Sequence, residues 1–277
     1  MNICILTVPY DSGHYRARMG SGPDRIFESA LKPLLTRLGH NFKREEITVP
    51  DSHPAEIKTA FALCRAVAER VRICQSEGYF PLVLSGNCNT AIGTVSGCGC
   101  QNTGIVWFDA HGESTTPDTT TSGFLDGMGI SILTGQCWRG LALTIPGFDA
   151  VPGKRILLVG SRDLETDELA LLNRVGVARV AGTDDLGSRV ASLDPQIDGI
   201  YLHLDLDVLD PREAVANQWA PSGGLAIETL KQAVKSLQRC TRIKAFGIAS
   251  YDPEVDRDGR ALDAALSVAE SLLAITI

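Results

Sequence analysis

The 277-residue chain is 44% hydrophobic and 21% charged, a balance that buries a sizeable core and excludes intrinsic disorder and fibrous repeats. Its 26 Lys and Arg against 33 Asp and Glu leave a net charge of −7, and no basic cluster supplies the footprint of a nucleic-acid binder. No apolar run reaches the ~18 residues of a membrane helix, and Met1-Asn2-Ile3-Cys4-Ile5 lacks the basic segment of a secretory signal, so a cytoplasmic chain without membrane or nucleic-acid partners is expected.

In chain order, Ile3–Val8 reads as a first strand, and Phe27–Leu38 as a helix that Pro33 kinks or splits. Residues 55–76 place Ile57, Phe61, Cys64, Val67, Val71 and Cys74 at helical spacing. Strand-like runs follow at Pro81–Leu84, Gly104–Phe108, Arg155–Val159, Ile200–Leu206 and Ile243–Ile248, with amphipathic stretches at Ile227–Cys240 and Ala261–Ala274. Several strands are apolar on both faces, as in a parallel sheet covered by helices on each side. The expected architecture is a single three-layer α/β/α domain over residues 1–277. The eight scattered cysteines read mostly as small buried hydrophobes, Cys88 excepted, and Cys98-Gly99-Cys100 lacks zinc-site spacing. His14, His40 and His53 read as surface residues.

Ligands of such sheets bind beyond the carboxyl ends of the strands. After Leu84 comes Ser85-Gly86-Asn87-Cys88-Asn89, and after Phe108 comes Asp109-Ala110-His111-Gly112-Glu113. After Val159 comes Gly160-Ser161-Arg162-Asp163, after Leu204 comes Asp205-Leu206-Asp207, and after Ile248 comes Ser250-Tyr251-Asp252-Pro253. Residues two apart on an extended chain point the same way, so Asp109-x-His111-x-Glu113 and Asp205-x-Asp207 each aim several donors at one place. Such carboxylates repel one another unless a cation sits between them. An oxygen-rich set with one imidazole suits Mn²⁺, and two such ions would supply a hydroxide nucleophile at neutral pH.

These motifs resemble the ureohydrolase family of arginases, agmatinases, guanidinobutyrases and formiminoglutamases. Met19-Gly20-Ser21-Gly22-Pro23 is similar to the family's Gly-Pro segment, Ser85-Gly86-Asn87-Cys88-Asn89 to its Gly-Gly-Asp-His-Ser turn, and Asp109-Ala110-His111-Gly112-Glu113 to its Asp-Ala-His-x-Asp. His203-Leu204-Asp205-Leu206-Asp207-Val208-Leu209-Asp210-Pro211 resembles its Ser-x-Asp-x-Asp-x-x-Asp-Pro. The resemblance implies an eight-stranded parallel sheet, a trimer or hexamer, and two Mn²⁺ per chain bridged by Asp109 and Asp205. His111 and Asp207 would complete one metal, and Cys88 and Glu113 the other, with attack of a shared hydroxide on an amidine carbon. Glu113 takes the place of the carboxylate that hydrogen-bonds the nucleophile.

The departures narrow this expectation. Cys88 stands where the family has a His ligand; as a thiolate it would shift that metal toward Zn²⁺ or Fe²⁺, and as a thiol it would leave the ion weakly held. The same departure resembles members that hydrolyse N-hydroxyguanidines. Glu113 replaces a shorter Asp. Ser250 falls where a guanidinium-pairing Glu is expected, with Asp252 and Glu254 as nearby substitutes. Asp126 aligns with a proton-shuttling His, and is otherwise a loop acid. Thr115 and Ser122 match positions that bind an α-carboxylate, and Glu165 and Glu168 those that bind an α-ammonium, with surface salt bridges as the plainer account of the two glutamates. His203 either orients a ligand or is a satisfied polar residue. The segment from Asp252 to Arg260 is either a lid or a solvated acidic loop.

The expected function is a binuclear hydrolase of linear amidines, acting on a small-molecule or peptidyl guanidine. A single-metal, deacetylase-like amide hydrolase and a non-catalytic relative that keeps the fold for binding or assembly are the alternatives.

Overall fold

The computed structural model describes residues 1–50 and 55–274, so the reading of His53 lies outside the described residues. Eight strands form one parallel sheet: β1 (Asn2–Val8), β2 (Asn41–Glu46), β3 (Phe80–Ser85), β4 (Thr103–Phe108), β5 (Ile156–Val159), β6 (Ala178–Val180), β7 (Gly199–Asp205) and β8 (Ile243–Ala249), in spatial order β2-β1-β3-β8-β7-β4-β5-β6. Residue alternation divides the core between the two faces. Ile3 and Ile5 of β1 join the apolar cluster that includes α4 (Ile227–Cys240) and α5 (Arg260–Leu273). Cys4, Leu6 and Val8 join the cluster under α1 (Glu56–Ser76), α2 (Thr90–Cys98) and α3 (Thr166–Val175). Helices therefore cover both faces, and the three-layer α/β/α expectation holds.

The differences from the sequence reading have local causes. Residues 22–37 remain helical through Pro33, because Phe27–Leu31 widens into a π turn just ahead of Lys32–Arg37. β2 reads Asn-Phe-Lys-Arg-Glu-Glu and is an edge strand, and β6 is a three-residue edge strand; neither has the apolar run that marks a buried strand. Cys4 and Cys74 are buried in the apolar core, as expected, and are joined as a disulfide between β1 and α1, their Cα atoms 6.2 Å apart, whereas Cys240 is exposed and Cys137 half-buried. His40 is buried, not on the surface: its Nε2 lies 2.8 Å from the Leu273 carbonyl and its Nδ1 3.2 Å from the N-terminal amine. His14 is exposed, as expected.

Candidate metal centre

Strands β3, β8, β7 and β4 are neighbours at the middle of the sheet, and their carboxyl ends deliver Cys88, Ser250, Asp205 and Asp109 to one place. Above them opens a cleft of about 730 Å³, within the usual size of a small-molecule site, with His111, Glu113, Asp126, Asp205, Asp207 and Ser250 in its wall. The cleft at the amino ends of β3 and β8, about 630 Å³ and lined by Phe80, Arg239, Arg242 and Leu272, has no carboxylate side chain among the described residues. The chemistry gathers at one end of the sheet.

On the β4 side, His111 Nδ1 lies 3.4 Å from Asp109 Oδ1 and 3.3 Å from Asp207 Oδ2. Backbone donors aim these carboxylates: His111 N–H to Asp109 (2.7 Å), Ala110 N–H to Asp207 (3.2 Å) and Asp207 N–H to Asp205 (2.9 Å). The indole N–H of Trp107 donates to Asp109 Oδ2 at 2.8 Å. Arg162, which the sequence reading passed over, donates to the carbonyls of Asp207 (2.9 Å), Leu209 (3.3 Å) and Pro221 (3.0 Å), and so pins the loop that carries Asp207.

On the β3 side, the Cys88 thiol donates to Asp205 Oδ2 at 2.9 Å, and its sulfur lies 3.1 Å from His203 Nε2 and 3.5 Å from Ser250 Oγ. Asp126 is buried, which overturns its reading as a loop acid. Its carboxylate accepts from Cys88 N–H (3.1 Å), Asn89 N–H (2.9 Å) and Asn87 Nδ2 (2.9 Å), clamping the turn after β3. Glu113 has φ of +50°, a conformation rare outside glycine, and its carbonyl accepts the Ile130 N–H at 2.7 Å. Its buried carboxylate lies within reach of the charges of Asp109, Asp126 and Asp205.

The electrostatics follow from crowding. Burial, then the Asp207 charge, raises the pKa of Asp109; burial, then Asp207 and Asp109, raises Asp205; burial, then Asp109 and Asp126, raises Glu113. Asp126 is pushed up to about 7 by burial, against its three hydrogen bonds. Burial pulls His111 down, but its contacts with Asp109 and Asp207 outweigh that and raise it. Burial holds His203 at about 3, so its imidazole is neutral. Glu113 Oε2 is buried with no hydrogen-bond partner. An orphaned oxygen among mutually repelling carboxylates is what a divalent cation satisfies, so the donor set fits the metals that the sequence motifs imply. Donor atoms of Asp109, His111 and Asp207, and separately of Cys88, Asp109 and His203, lie within 4.8 Å of one another.

The substrate-side expectations fare unevenly. Thr115 and Ser122 line the cleft, yet Thr115 Oγ1 donates to the Gly127 carbonyl (2.7 Å) and Ser122 Oγ accepts the Phe124 N–H (3.2 Å). Glu165 and Glu168 also line it, but they form the capping box of α3, and Glu168 accepts the Ser114 N–H at 3.0 Å. The surface-salt-bridge reading of Glu168 is therefore wrong, because its buried carboxylate is committed to backbone donors. Ser250, at φ of +63°, faces the cleft, while Asp252 and Glu254 are not among its lining residues and Asp252 caps the Glu254 N–H (3.0 Å). Asp256 binds the N–H groups of Ala261 (3.1 Å) and Leu262 (3.0 Å), so this acidic segment starts α5. Sequence reasoning missed Asn217, whose Nδ2 donates to the Ser250 carbonyl (2.8 Å), and Trp219, 54% exposed beside Phe124 at the cleft. Neither sits in a motif that would have marked it.

A three-layer sheet with buried acids at its carboxyl edge is the framework of a ureohydrolase. The family model described as "Arginase family" matches residues 1–274. Arginases of Bacillus subtilis (strain 168) and Brevibacillus brevis are 28% and 27% identical to this chain, over 98% of it and 97% of each relative. Among solved structures, an arginase from Bacillus subtilis gives a TM-score of 0.89 at 24% identity over all of both chains. Formimidoylglutamase from the same species gives 0.77 at 18% identity, over 99% of this chain and 86% of that one. These structural likenesses bear on the fold. The chain belongs to the arginase family.

Proposed function

We propose that this protein is a binuclear metal-dependent hydrolase of a guanidine or related linear amidine, with Mn²⁺ as its ordinary metal and Zn²⁺ or Fe²⁺ favoured beside Cys88. The observation that carries this reading is the convergence of buried Asp109, Asp205, Asp207 and Glu113 around His111, with one Glu113 oxygen left unpaired. Asp109 and Asp205 would bridge two ions, His111 and Asp207 would hold one, and Cys88 and Glu113 the other. Bound ions would supply Lewis acidity and a water of lowered pKa for attack on the amidine carbon. Asp126, in the cleft wall with its pKa pushed up to about 7 by burial, would hold a proton for the departing amine.

Ser250 offers a hydroxyl, not a charge, so it cannot form the bidentate pair that a carboxylate makes with a free guanidinium. That favours an N-hydroxyguanidine, or an arginine held within a larger molecule whose remainder rests against Phe124 and Trp219. The names of the relatives support guanidine chemistry, and the same reading makes the protein a cytoplasmic homotrimer or hexamer, measurable by light scattering. The test is metal per chain after growth in Mn²⁺, followed by urea or hydroxyurea release from arginine, N-hydroxyarginine and an arginyl peptide. Two ions with turnover of one of the latter two support the reading. One ion would favour the single-metal alternative, and no ion would leave a fold without this chemistry.

A further inference from the structure

The cluster around Cys88 contains an imidazole that the proposed ligand set does not use. His203 lies on β7, two residues before Asp205, and is 1% exposed. Its Nε2 is 3.1 Å from Cys88 Sγ, and the donor atoms of His203, Cys88 and Asp109 all lie within 4.8 Å of one another. Bonds of roughly 2.0–2.3 Å from a single ion to nitrogen, oxygen and sulfur span such a set. The turn after β3 lacks the imidazole that its motif leads one to expect, and the nearest one comes from the neighbouring part of the sheet.

His203 is also aimed. A hydrogen bond of 2.8 Å joins its Nδ1 to the Tyr201 hydroxyl, and its ring stacks on Trp107, centroid to centroid 3.9 Å. Trp107 and His203 are register partners on β4 and β7, and Gly247 of β8 is the partner on the other side. A Cβ at Gly247 would run into the Tyr201 hydroxyl, so the glycine leaves the space in which that hydroxyl reaches His203. Held at Nδ1 by the Tyr201 hydroxyl, the ring presents Nε2 toward Cys88, the geometry of an oriented metal-binding histidine whose Nε2 would be the ligating nitrogen once an ion is bound. Neither Cys88 nor His203 lines the cleft and both are almost fully buried, so neither side chain is positioned to meet a substrate directly.

We propose that His203 is a metal ligand, and that Cys88 and His203 together form the sulfur–nitrogen side of the metal centre, with Tyr201 as the positioning residue for the imidazole. This rests on the metal-dependent reading above. The expected centre therefore holds two imidazoles, His111 and His203, and one sulfur.

The test loads the full-length protein with Co²⁺ and with Zn²⁺. X-ray absorption of the wild type with Zn²⁺ counts imidazole and sulfur neighbours, and needs no variant to fold. With two ions bound, two imidazoles and one sulfur per chain support the inference, and one imidazole overturns it while the binuclear reading stands; a sulfur-bound ion with no imidazole beside it overturns it at any loading. Wild type that takes up no ion overturns both. Among variants, His203→Asn should drop from two equivalents of Co²⁺ to one and lose the thiolate-to-cobalt absorption. The double variant Cys88→His/His203→Ser, which returns the imidazole to the turn, should bind two ions without that absorption. Two equivalents and an unchanged Co²⁺ spectrum in His203→Asn would remove His203 from the centre. Tyr201→Phe should weaken binding of the second ion by about 10–100-fold, and unchanged affinity there would remove the positioning role.

Discussion

The two sides of the candidate centre are built differently. On the β4 side, Asp109, His111 and Asp207 come from two motifs legible in the sequence, and backbone N–H groups aim the carboxylates: His111 N–H, two residues on, for Asp109, and Ala110 N–H, 97 residues away, for Asp207. On the β3 side, Cys88, His203, Asp126 and Ser250 come from stretches up to 162 residues apart, and side chains from other elements hold them. The first side is held mainly by backbone donors, two of them on the motifs' own segments. The second can exchange one donor type for another, because sheet register supplies neighbours from several strands at the same height.

The largest expected effect comes from the residue that joins the sides. Asp205→Ala should remove both ions and lower any amidine hydrolysis by on the order of 10²–10³-fold or more, measured as metal per chain and turnover; one retained ion would show that Asp205 does not bridge. Trp107→Phe deletes the indole donor to Asp109 and should weaken metal binding by about 10–100-fold, seen by titration of the apoprotein. Asp126→Asn keeps the shape but leaves one or more buried N–H groups of the turn without an acceptor. It should cost about 1–3 kcal/mol in thermal unfolding, with a greater loss of metal at the Cys88 side than at the His111 side; equal losses would erase the contrast between the two sides.

The smallest effect is one of pH. Asp109, Asp205, Glu113 and Asp126 all have pKa values raised in the fold. Between an ordinary carboxylate value of about 4 and the value of about 7 for Asp126, these four groups bind more protons in the metal-free native chain than in the unfolded one, against the single proton that His203 gains on unfolding. Its stability contribution from these groups is therefore present at low pH and lost as pH rises through that window. The melting temperature of the apoprotein should fall from pH 5.5 to pH 7.5 by an amount that bound Mn²⁺ largely cancels. An apoprotein whose stability rises over that range would contradict the crowding of acids.

Six strands were legible as apolar runs, and α1, α4 and α5 as periodic helices, because burial on one or two faces writes a period into the residues. The edge strands Asn41–Glu46 and Ala178–Val180 were not, since an edge needs no continuous apolar run and packing against β1 and β5 alone makes them strands. Asp109, His111, Asp205 and Asp207 were legible as residues at or just beyond the carboxyl ends of two strands, but not through the expected alternation along extended chain: Asp207 lies in a 3₁₀ turn (Leu206–Val208) and residues 109–113 lie outside any strand. The commitments of Glu168 to a helix cap, of Asp126 to the turn after β3, and of His203 to Cys88 were not legible, because each is a hydrogen bond or contact across at least 37 residues of chain or to a helix start. By itself the sequence determined the three-layer parallel fold and the acids that converge, since both depend on local period and on the residues just beyond each strand's carboxyl end. Only the tertiary structure decided which side chains those acids meet, because that depends on strand order and register, which bring distant segments to the same height in the sheet.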